Sequence, residues 1–170
     1  MTNDATREKI RELASEGFRN GLNCAECVFD SLQRAGALNL PHETIAMCVG
    51  FGGGIGLSGN TCGALSGAVM TIGSVHGRKD PWAVPKEERG AQIAQKYYRR
   101  YNRLVDDFTK KHGSPLCREI TAGREWGDKE RRVLCMNLIV DTAVLAYDYI
   151  IMPQEEAFAL EYKNNMAGMK

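Results

Sequence analysis

The stretch Gly50-Phe51-Gly52-Gly53-Gly54-Ile55-Gly56-Leu57-Ser58-Gly59-Asn60-Thr61-Cys62-Gly63-Ala64-Leu65-Ser66-Gly67 decides how this sequence folds. It holds eight of the chain's 18 glycines together with one cysteine, and apolar residues at helical spacing follow it. Glycines give a loop access to positive φ angles and let backbone amides approach another group closely. The stretch therefore predicts a glycine loop, residues 50–61, that leads into a helix running from Cys62 to about His76.

Two nucleotide-binding patterns match the glycine loop by letter. Gly54, Gly56 and Gly59 satisfy G-x-G-x-x-G, and residues 54–61 read as a Walker A sequence without its lysine. That lysine is the group that contacts the β and γ phosphates, and a dinucleotide site needs a preceding strand within a βαβ unit. No neighbouring segment has the pattern of parallel strands, so the sequence disfavours nucleotide binding.

Apolar residues recur at three- and four-residue intervals in almost every other segment, which is typical of helices. The predicted helices cover residues 4–19, 24–35, 43–49, 62–76, 85–112 and 128–149, with a short turn at 114–120. Asn23 and Asp128 are predicted caps, and Gly113 ends the long helix. Because there is no internal repeat and no linker, the sequence predicts an all-α fold: an irregular helical bundle formed by a single domain over residues 1–170.

The balance of charge and the apolar pattern exclude several classes of partner. Twenty-two basic and 21 acidic residues give a net charge of +1, which provides no electrostatic footprint for nucleic acid. Residues 1–11 are polar and lack the apolar core of a signal peptide. Asn137, Asp141 and Asp148 interrupt the apolar run 133–152, which favours a buried helix over a membrane span. We therefore expect a cytoplasmic protein without membrane insertion.

Six cysteines in a cytoplasmic chain indicate metal binding or redox chemistry, because that compartment keeps thiols reduced. Cys62 is the first candidate, since it lies at the amino end of a predicted helix. Free amides and the helix dipole favour a thiolate there, so we expect a lowered pKa and a catalytic or metal-binding thiol. The alternative is a small buried residue beneath a tight helix crossing. Five glycines are predicted to bring amides to this sulfur or to a cofactor: Gly52, Gly53, Gly54, Gly56 and Gly63.

The other cysteines lie on separate predicted helices. Cys24 and Cys27 form a C-x-x-C pair inside a helix, without the βαβ context of thioredoxin-like proteins. Cys117 lies near the amino-terminal amides of the short turn, Cys135 points inward from the last helix, and Cys48 is expected to be core packing. Such isolated thiols form one site only if the fold brings them together.

These residues resemble the C_GCAxxG_C_C family, a family of redox-active proteins named for its cysteine pattern. The matching segments are Gly21-Leu22-Asn23-Cys24-Ala25-Glu26, residues 50–56, residues 61–67, Cys117-Arg118-Glu119 and Cys135. The resemblance implies that Cys24, Cys62, Cys117 and Cys135 are the characteristic four, and that Cys27 and Cys48 are additional. The family is also similar to the non-haem part of split-Soret cytochrome c, which is associated with an iron–sulfur cluster. The Cys-x-x-Cys-His motif of haem attachment is missing from this sequence.

Three functions remain open. The first is electron transfer or redox sensing by an iron–sulfur cluster ligated by Cys24, Cys62, Cys117 and Cys135, with N–H···S bonds from the glycine loop. The second is metal-free thiol–disulfide chemistry, in which Cys62 attacks and one of the other three resolves. The third is a non-catalytic helical protein whose cysteines hold structural zinc or pack. The sequence specifies neither the redox partner protein nor an enzymatic reaction, and the small residues of 63–74 are compatible with a homodimer.

Overall fold

The computed structural model describes residues 2–168, and over this range the chain forms eight α-helices and no strand, which confirms the all-α prediction. The helices are α1 (Asn3–Arg19), α2 (Cys24–Arg34), α3 (Gly63–His76), α4 (Lys86–Gln92), α5 (Tyr98–His112), α6 (Cys117–Ile120), α7 (Lys129–Ile151) and α8 (Gln154–Ala159). Short 3₁₀ helices occupy His42–Phe51, Pro81–Ala83 and Asn164–Met166, and a π turn occupies Ile93–Tyr97.

Helices α1, α2, α3 and α7 pack together around the apolar core. The largest fully buried side chains come from all four of these helices and from α5, and include Ile10, Phe29, Leu65, Phe108 and Ile139. By length and composition α7 could cross a membrane, but half of its most apolar window is buried within the fold. Two of its carboxylates are paired: Asp148 with Arg7 at 2.8 Å and Asp141 with Lys111 at 3.0 Å.

The start of α2 is fixed by a capping box, as the sequence predicts for Asn23. The Asn23 side chain accepts hydrogen bonds from the amides of Ala25 (2.9 Å) and Glu26 (3.0 Å), and the Glu26 carboxylate accepts one from the Asn23 amide (2.8 Å). Capping of this kind typically stabilises a helix by about 1 kcal/mol. Since α2 begins directly after the cap, Cys24 becomes its first residue.

Two predicted helices differ from the structure. The segment predicted as a helix over 43–49 is a 3₁₀ helix, and near its end the Asn23 side-chain amide donates to the carbonyls of Cys48 (3.4 Å) and Val49 (3.3 Å). The long helix predicted over 85–112 is interrupted by the π turn at Ile93–Tyr97. There the Tyr162 hydroxyl donates to the carbonyl of Ala94, so a side chain contacts a carbonyl that otherwise accepts a hydrogen bond within the helix.

The predicted cap of α7 is correct in position and wrong in chemistry. Asp128 is the N-cap residue, but its side chain makes no capping hydrogen bond. The carboxylate accepts instead from the amide of Glu125 at 2.7 Å, within the preceding loop. The first amides of α7 are therefore left without a side-chain acceptor from Asp128.

Small residues let α3 approach α2 at backbone distance. A Cβ atom added to Gly67 would lie 2.9 Å from the carbonyl oxygen of Ala25 and 3.0 Å from its Cα atom. We expect Gly67→Ala to lower the free energy of unfolding by about 1–3 kcal/mol, because neither backbone atom can move aside without shifting a helix. Urea unfolding followed by circular dichroism measures the change.

Gly90→Ala is the matched control, since Gly90 also lies in a helix but a Cβ atom there meets nothing within 4 Å. This substitution should raise the free energy of unfolding by up to about 1 kcal/mol. Equal stability of the two variants would contradict the close approach of α2 and α3.

Candidate functional site

Four of the six cysteines line one small cavity, which we call the thiol cavity: Cys24, Cys62, Cys117 and Cys135. Its volume is about 20 Å³, and Ile120, Thr121 and Leu138 complete its wall together with Gly63. All six cysteines of the chain are free thiols. The fold thus brings together the four residues that the family resemblance singles out, although they lie far apart along the chain.

Helix termini position three of these four residues. Cys24 is the first residue of α2, Cys62 is the N-cap of α3, and Cys117 is the first residue of α6. Cys135 lies in the second turn of α7. The thiol cavity is therefore formed where the amino ends of three helices meet the side of a fourth.

A short backbone pairing holds Cys62 against Cys117. The Cys62 amide donates to the carbonyl of Pro115 at 2.8 Å, and the Cys117 amide donates to the carbonyl of Asn60 at 2.7 Å. Thr61 and Leu116 form an antiparallel bridge between these two bonds. Because the contacts involve only backbone atoms, they fix the spacing of the two cysteines independently of the neighbouring side chains.

The glycine loop forms a left-handed turn. Gly53, Gly54, Ile55, Gly56 and Leu57 are consecutive and have φ angles of 62°, 74°, 65°, 56° and 66°. Left-handed geometry costs a residue with a side chain roughly 1–2 kcal/mol, so Ile55 and Leu57 are strained. Their side chains are 45% and 65% exposed and gain little from burial. Strain of this kind persists only where surrounding contacts impose it, and it clusters at functional sites.

Hydrogen bonds within the glycine loop impose this geometry. The Gly56 amide donates to the carbonyl of Gly50 at 2.8 Å, and the Leu57 amide donates to that of Gly52 at 3.1 Å. The Asn60 amide donates to the carbonyl of Gly54 at 3.0 Å. The loop therefore closes on itself before it pairs with the segment that carries Cys117.

Three of the five glycines predicted to approach a sulfur or a cofactor lie against the thiol cavity. The Gly53 amide faces the Cys24 sulfur, and a Cβ atom on Gly54 would lie 2.7 Å from the Cβ atom of Cys117. A Cβ atom on Gly63 would lie 3.1 Å from that of Cys24. The other two differ: Gly52 packs on the Asn23 cap, and Gly56 has open space around its Cα atom.

The expectation that the Cys62 pKa is lowered is wrong. Burial raises the pKa of this thiol to about 12, and the negative charge of Cys24 raises it further. The amides of Ala64 and Leu65 favour the thiolate, although neither makes a capping hydrogen bond of normal geometry. Only 6% of Cys62 is exposed, so loss of hydration outweighs the effect of the helix terminus.

Two neighbouring thiols behave in the same way. Burial raises the pKa of Cys24 to about 11, and the charge of Cys135 adds to the shift. Burial and the charge of Cys117 also raise the pKa of Cys135, whereas Arg131 and Arg124 lower it. Cys24, Cys62 and Cys135 are therefore protonated at neutral pH unless a bound cation stabilises their anionic forms.

The four thiols are not a preformed site for a single metal ion. Within residues 2–168, no group of three or more His, Cys, Asp and Glu side chains is arranged to hold one ion. Thiolates bound to a single zinc lie about 2.3 Å from it, and therefore less than about 4.6 Å from one another. All four sulfurs could therefore bind one ion only after a rearrangement that brings them within this distance.

The remaining cysteines lie outside the thiol cavity. Cys48 is fully buried in the core, as expected, and burial raises its pKa to about 11. Cys27 is also fully buried, and its Sγ atom lies 3.5 Å from the carbonyl oxygen of Leu22. Both residues therefore act as small apolar side chains in packing.

Two open clefts adjoin the thiol cavity, and the sequence analysis missed the larger one. This arginine cleft has a volume of about 520 Å³ and is lined mainly by Gly53, Cys117, Arg118, Arg124, Trp126 and Arg131. The second cleft, of about 320 Å³, shares Gly53, Cys117, Trp126 and Arg131 with it and also reaches Cys24 and Cys135. The sequence signal for this cleft is the set of arginines at positions 118, 124, 131 and 132, which lie near Cys117 and Cys135 along the chain.

The raised pKa values predict slow alkylation of the folded thiols. At pH 8 about one Cys24 thiol in a thousand is ionised at a pKa near 11, and fewer Cys62 thiols are. Iodoacetamide labelling of the reduced, metal-free chain, followed by peptide mass spectrometry, should therefore proceed slowly at these two positions. The rate should rise with pH up to pH 11–12.

The urea-unfolded chain is the control, because its thiols have pKa values near 8.5 and react readily at pH 8. Since the folded values are higher, the same thiols stabilise the fold fully below pH 8.5, and this stabilisation is lost as the pH rises through 11–12. Equal labelling rates in the folded and unfolded chains would contradict the burial of these residues.

Gly54 and Gly56 offer a matched pair for testing how the glycine loop holds Cys117. Both have positive φ angles, so alanine is strained by about 1 kcal/mol at either position. Only at Gly54 would the Cβ atom also lie 2.7 Å from the Asn60 amide and from Cys117. We expect Gly54→Ala to cost at least twice as much unfolding free energy as Gly56→Ala and to increase alkylation of Cys117. Equal effects would show that the loop does not position this cysteine.

Comparison with known proteins gives a consistent assignment. Residues 22–149, which include all six cysteines, match the family described as "Putative redox-active protein (C_GCAxxG_C_C)". An uncharacterized protein of Archaeoglobus fulgidus is 27% identical over 132 residues, covering 78% of this chain and 87% of that protein. No solved structure matches the chain at a significant level. Since the match covers most of the sequence, the chain belongs to the C_GCAxxG_C_C family of redox-active proteins.

Proposed function

We propose that this protein transfers electrons or senses redox state through an iron–sulfur cluster held by Cys24, Cys62, Cys117 and Cys135. The observation that carries the proposal is the thiol cavity, in which four cysteines from four helices meet at one buried place. Four cysteine thiolates are the usual ligand set of both [2Fe–2S] and [4Fe–4S] clusters. When bound, such a cluster supplies one-electron transfer at a potential that the surrounding protein sets.

Spacing, and not the donor set, distinguishes a cluster from a single ion, because four cysteines also form structural zinc sites. In a cluster, different iron atoms bind the thiolates, which lie further apart than around one zinc. The thiol cavity is smaller than a cluster, but the second cleft provides further space of about 320 Å³ along Cys24, Cys117 and Cys135. Structural zinc is the alternative that metal analysis distinguishes.

The residues around the sulfurs favour anionic ligands once a cation is bound. Amides of Gly53, Ala64 and Leu65 face the sulfurs of Cys24 and Cys62 and lower their pKa values. N–H groups that face a cluster sulfur raise its reduction potential. Ile120 and Leu138 form an apolar part of the wall of the thiol cavity.

A metal-free thiol–disulfide mechanism is less favoured, because its attacking group would have to be a thiolate. Cys62, the predicted nucleophile, is buried, and burial raises its pKa to about 12. The attacking thiol in exchange reactions works best with a pKa near the ambient pH. Neither open cleft is lined by Cys62, so a disulfide substrate has no evident route to this sulfur. A cytoplasmic location, which we also propose, would keep all four thiols reduced for cluster assembly.

The test is metal analysis of protein purified under strictly anaerobic conditions. We expect visible absorption, with iron and acid-labile sulfide in the stoichiometry of one cluster. Replacing any one of the four cysteines by alanine should remove most of the iron, because each supplies one ligand. A colourless preparation with neither iron nor sulfide would overturn the proposal.

Cys48→Ala is the matched control, since Cys48 is more buried than any of the four but lies outside the thiol cavity. This variant should keep its iron and sulfide and lose only some stability. If all five variants lost iron equally, general destabilisation would explain the result better than ligation, and circular dichroism of each variant separates the two. A measured zinc content with no iron would favour the structural alternative.

A further inference from the structure

We propose that the arginine cleft binds a small anionic ligand, one that carries phosphate or carboxylate groups, beside Cys117. Arg118, Arg124 and Arg131 line this cleft, and Arg132 lines the adjoining second cleft. The chain as a whole has a net charge of only +1, so three arginines in one cleft and a fourth in the adjoining one are a strong local concentration of positive charge. Fields of this kind attract anions into a cleft.

None of these arginines is neutralised by a partner. Within residues 2–168, Arg118, Arg124, Arg131 and Arg132 form no ion pair with a carboxylate. Arg7 and Arg34, by contrast, contact carboxylates, whereas Arg99 and Arg100 donate to backbone carbonyls. Glu125 also lines the cleft but pairs with none of its arginines. The arrangement leaves the cleft positively charged.

The three guanidinium groups of the cleft are held in place yet keep most of their donors free. Arg118 donates to the side chain of Asn60 at 3.2 Å, and Arg124 donates to the carbonyl of Ala122 at 3.2 Å. Arg131 donates to the carbonyl of Arg124 at 3.0 Å and lies 5.0 Å from the centre of the Trp126 ring. A guanidinium has five N–H donors in a planar fork that suits carboxylate and phosphate oxygens.

The first turn of α7 carries three basic residues, Lys129, Arg131 and Arg132, and one acidic residue, Glu130. The helix dipole favours negative charge at this end, so the basic residues do not stabilise the helix terminus. Asp128, which precedes them, directs its carboxylate to the loop and does not cap the helix. Helix stability therefore gives no account of the three basic residues.

The shape of the cleft favours a small molecule over a protein surface. Its volume of about 520 Å³ lies within the range of small-ligand sites, roughly 300–1,000 Å³. The Trp126 side chain is 63% exposed at its edge and offers an apolar surface next to the charged groups. Neither feature depends on a cluster, so this inference goes beyond the proposed redox function.

Calorimetric titration of the full chain with pyrophosphate and with citrate tests the proposal and compares the two anion chemistries. We expect at least one of the two to bind with a dissociation constant below about 1 mM. Arg131→Ala should weaken that binding by roughly tenfold, since hydrogen bonds to charged groups contribute on this scale. Arg131→Lys keeps the positive charge but loses the planar guanidinium, so it should also weaken anion binding. This variant replaces Arg131→Ala in the test if the alanine variant folds poorly.

Lys79→Ala is the charge-matched control, because Lys79 is exposed and lines none of these clefts. This variant should bind the anion as the unmodified chain does. Loss of affinity equal to that of Arg131→Ala, or no binding of either anion, would overturn the proposal. Iron is measured in the same samples, because the iron content tests the cluster proposal and the affinity for the anion tests this one.

Fluorescence gives a second readout at the same site. The chain has two tryptophans, so Trp82→Phe leaves Trp126 as the reporter. Trp82 lies against Arg89, outside the clefts, and its replacement should not affect binding. The anion that binds in calorimetry should change Trp126 emission with the same dissociation constant. Binding without any change at Trp126 would place the anion elsewhere and contradict the proposal.

Discussion

The backbone pairing between residues 59–62 and 115–118 is the constraint on which the candidate site depends. It joins the end of the glycine loop to the start of α6, and so it places Cys117 beside Cys62. Arg118 is held by the same pairing, since its amide donates to the carbonyl of Gly59 at 3.0 Å. The left-handed turn at residues 53–57 reverses the chain direction just before this pairing, and so allows its hydrogen bonds to form. Strain at Ile55 and Leu57 is thus compensated by hydrogen bonds that the rest of the loop makes.

Burial and helix termini have opposite effects on the pKa values of the thiols. A helix amino end favours a thiolate, yet Cys24 and Cys62 have raised pKa values because the protein removes the water that would solvate their charge. Mutual repulsion between neighbouring thiolates adds to this effect. Protonated thiols of this kind react slowly with small electrophiles, and a bound cationic group would offset the repulsion between several sulfurs at once. For the proposed function, burial therefore favours ligation over nucleophilic reactivity.

The sequence predicted well what depends on local interactions. The cap at Asn23 and the start of α3 next to Cys62 both follow from neighbouring residues. The π turn at Ile93–Tyr97 could not be predicted, because a distant side chain, Tyr162, contacts a carbonyl of that turn. The 3₁₀ geometry before the glycine loop also differs from the helix that the local pattern predicts. The grouping of the four cysteines was implied by the family resemblance and not by their spacing. The arginine cleft depends on loops whose relative positions only the fold defines.

The arginine cleft and the thiol cavity are electrostatically linked, because Arg124 and Arg131 lie near enough to lower the pKa of Cys135. An anion bound to these arginines would offset part of their positive charge and so disfavour negative charge on the sulfurs. Linkage makes the effect reciprocal: any increase in negative charge at the sulfurs must weaken anion binding by the same free energy. If both proposals hold, a reduced and an oxidised centre therefore differ in their affinity for the anion. The fold would then couple the redox state of a buried site to the occupancy of an open one through two side chains.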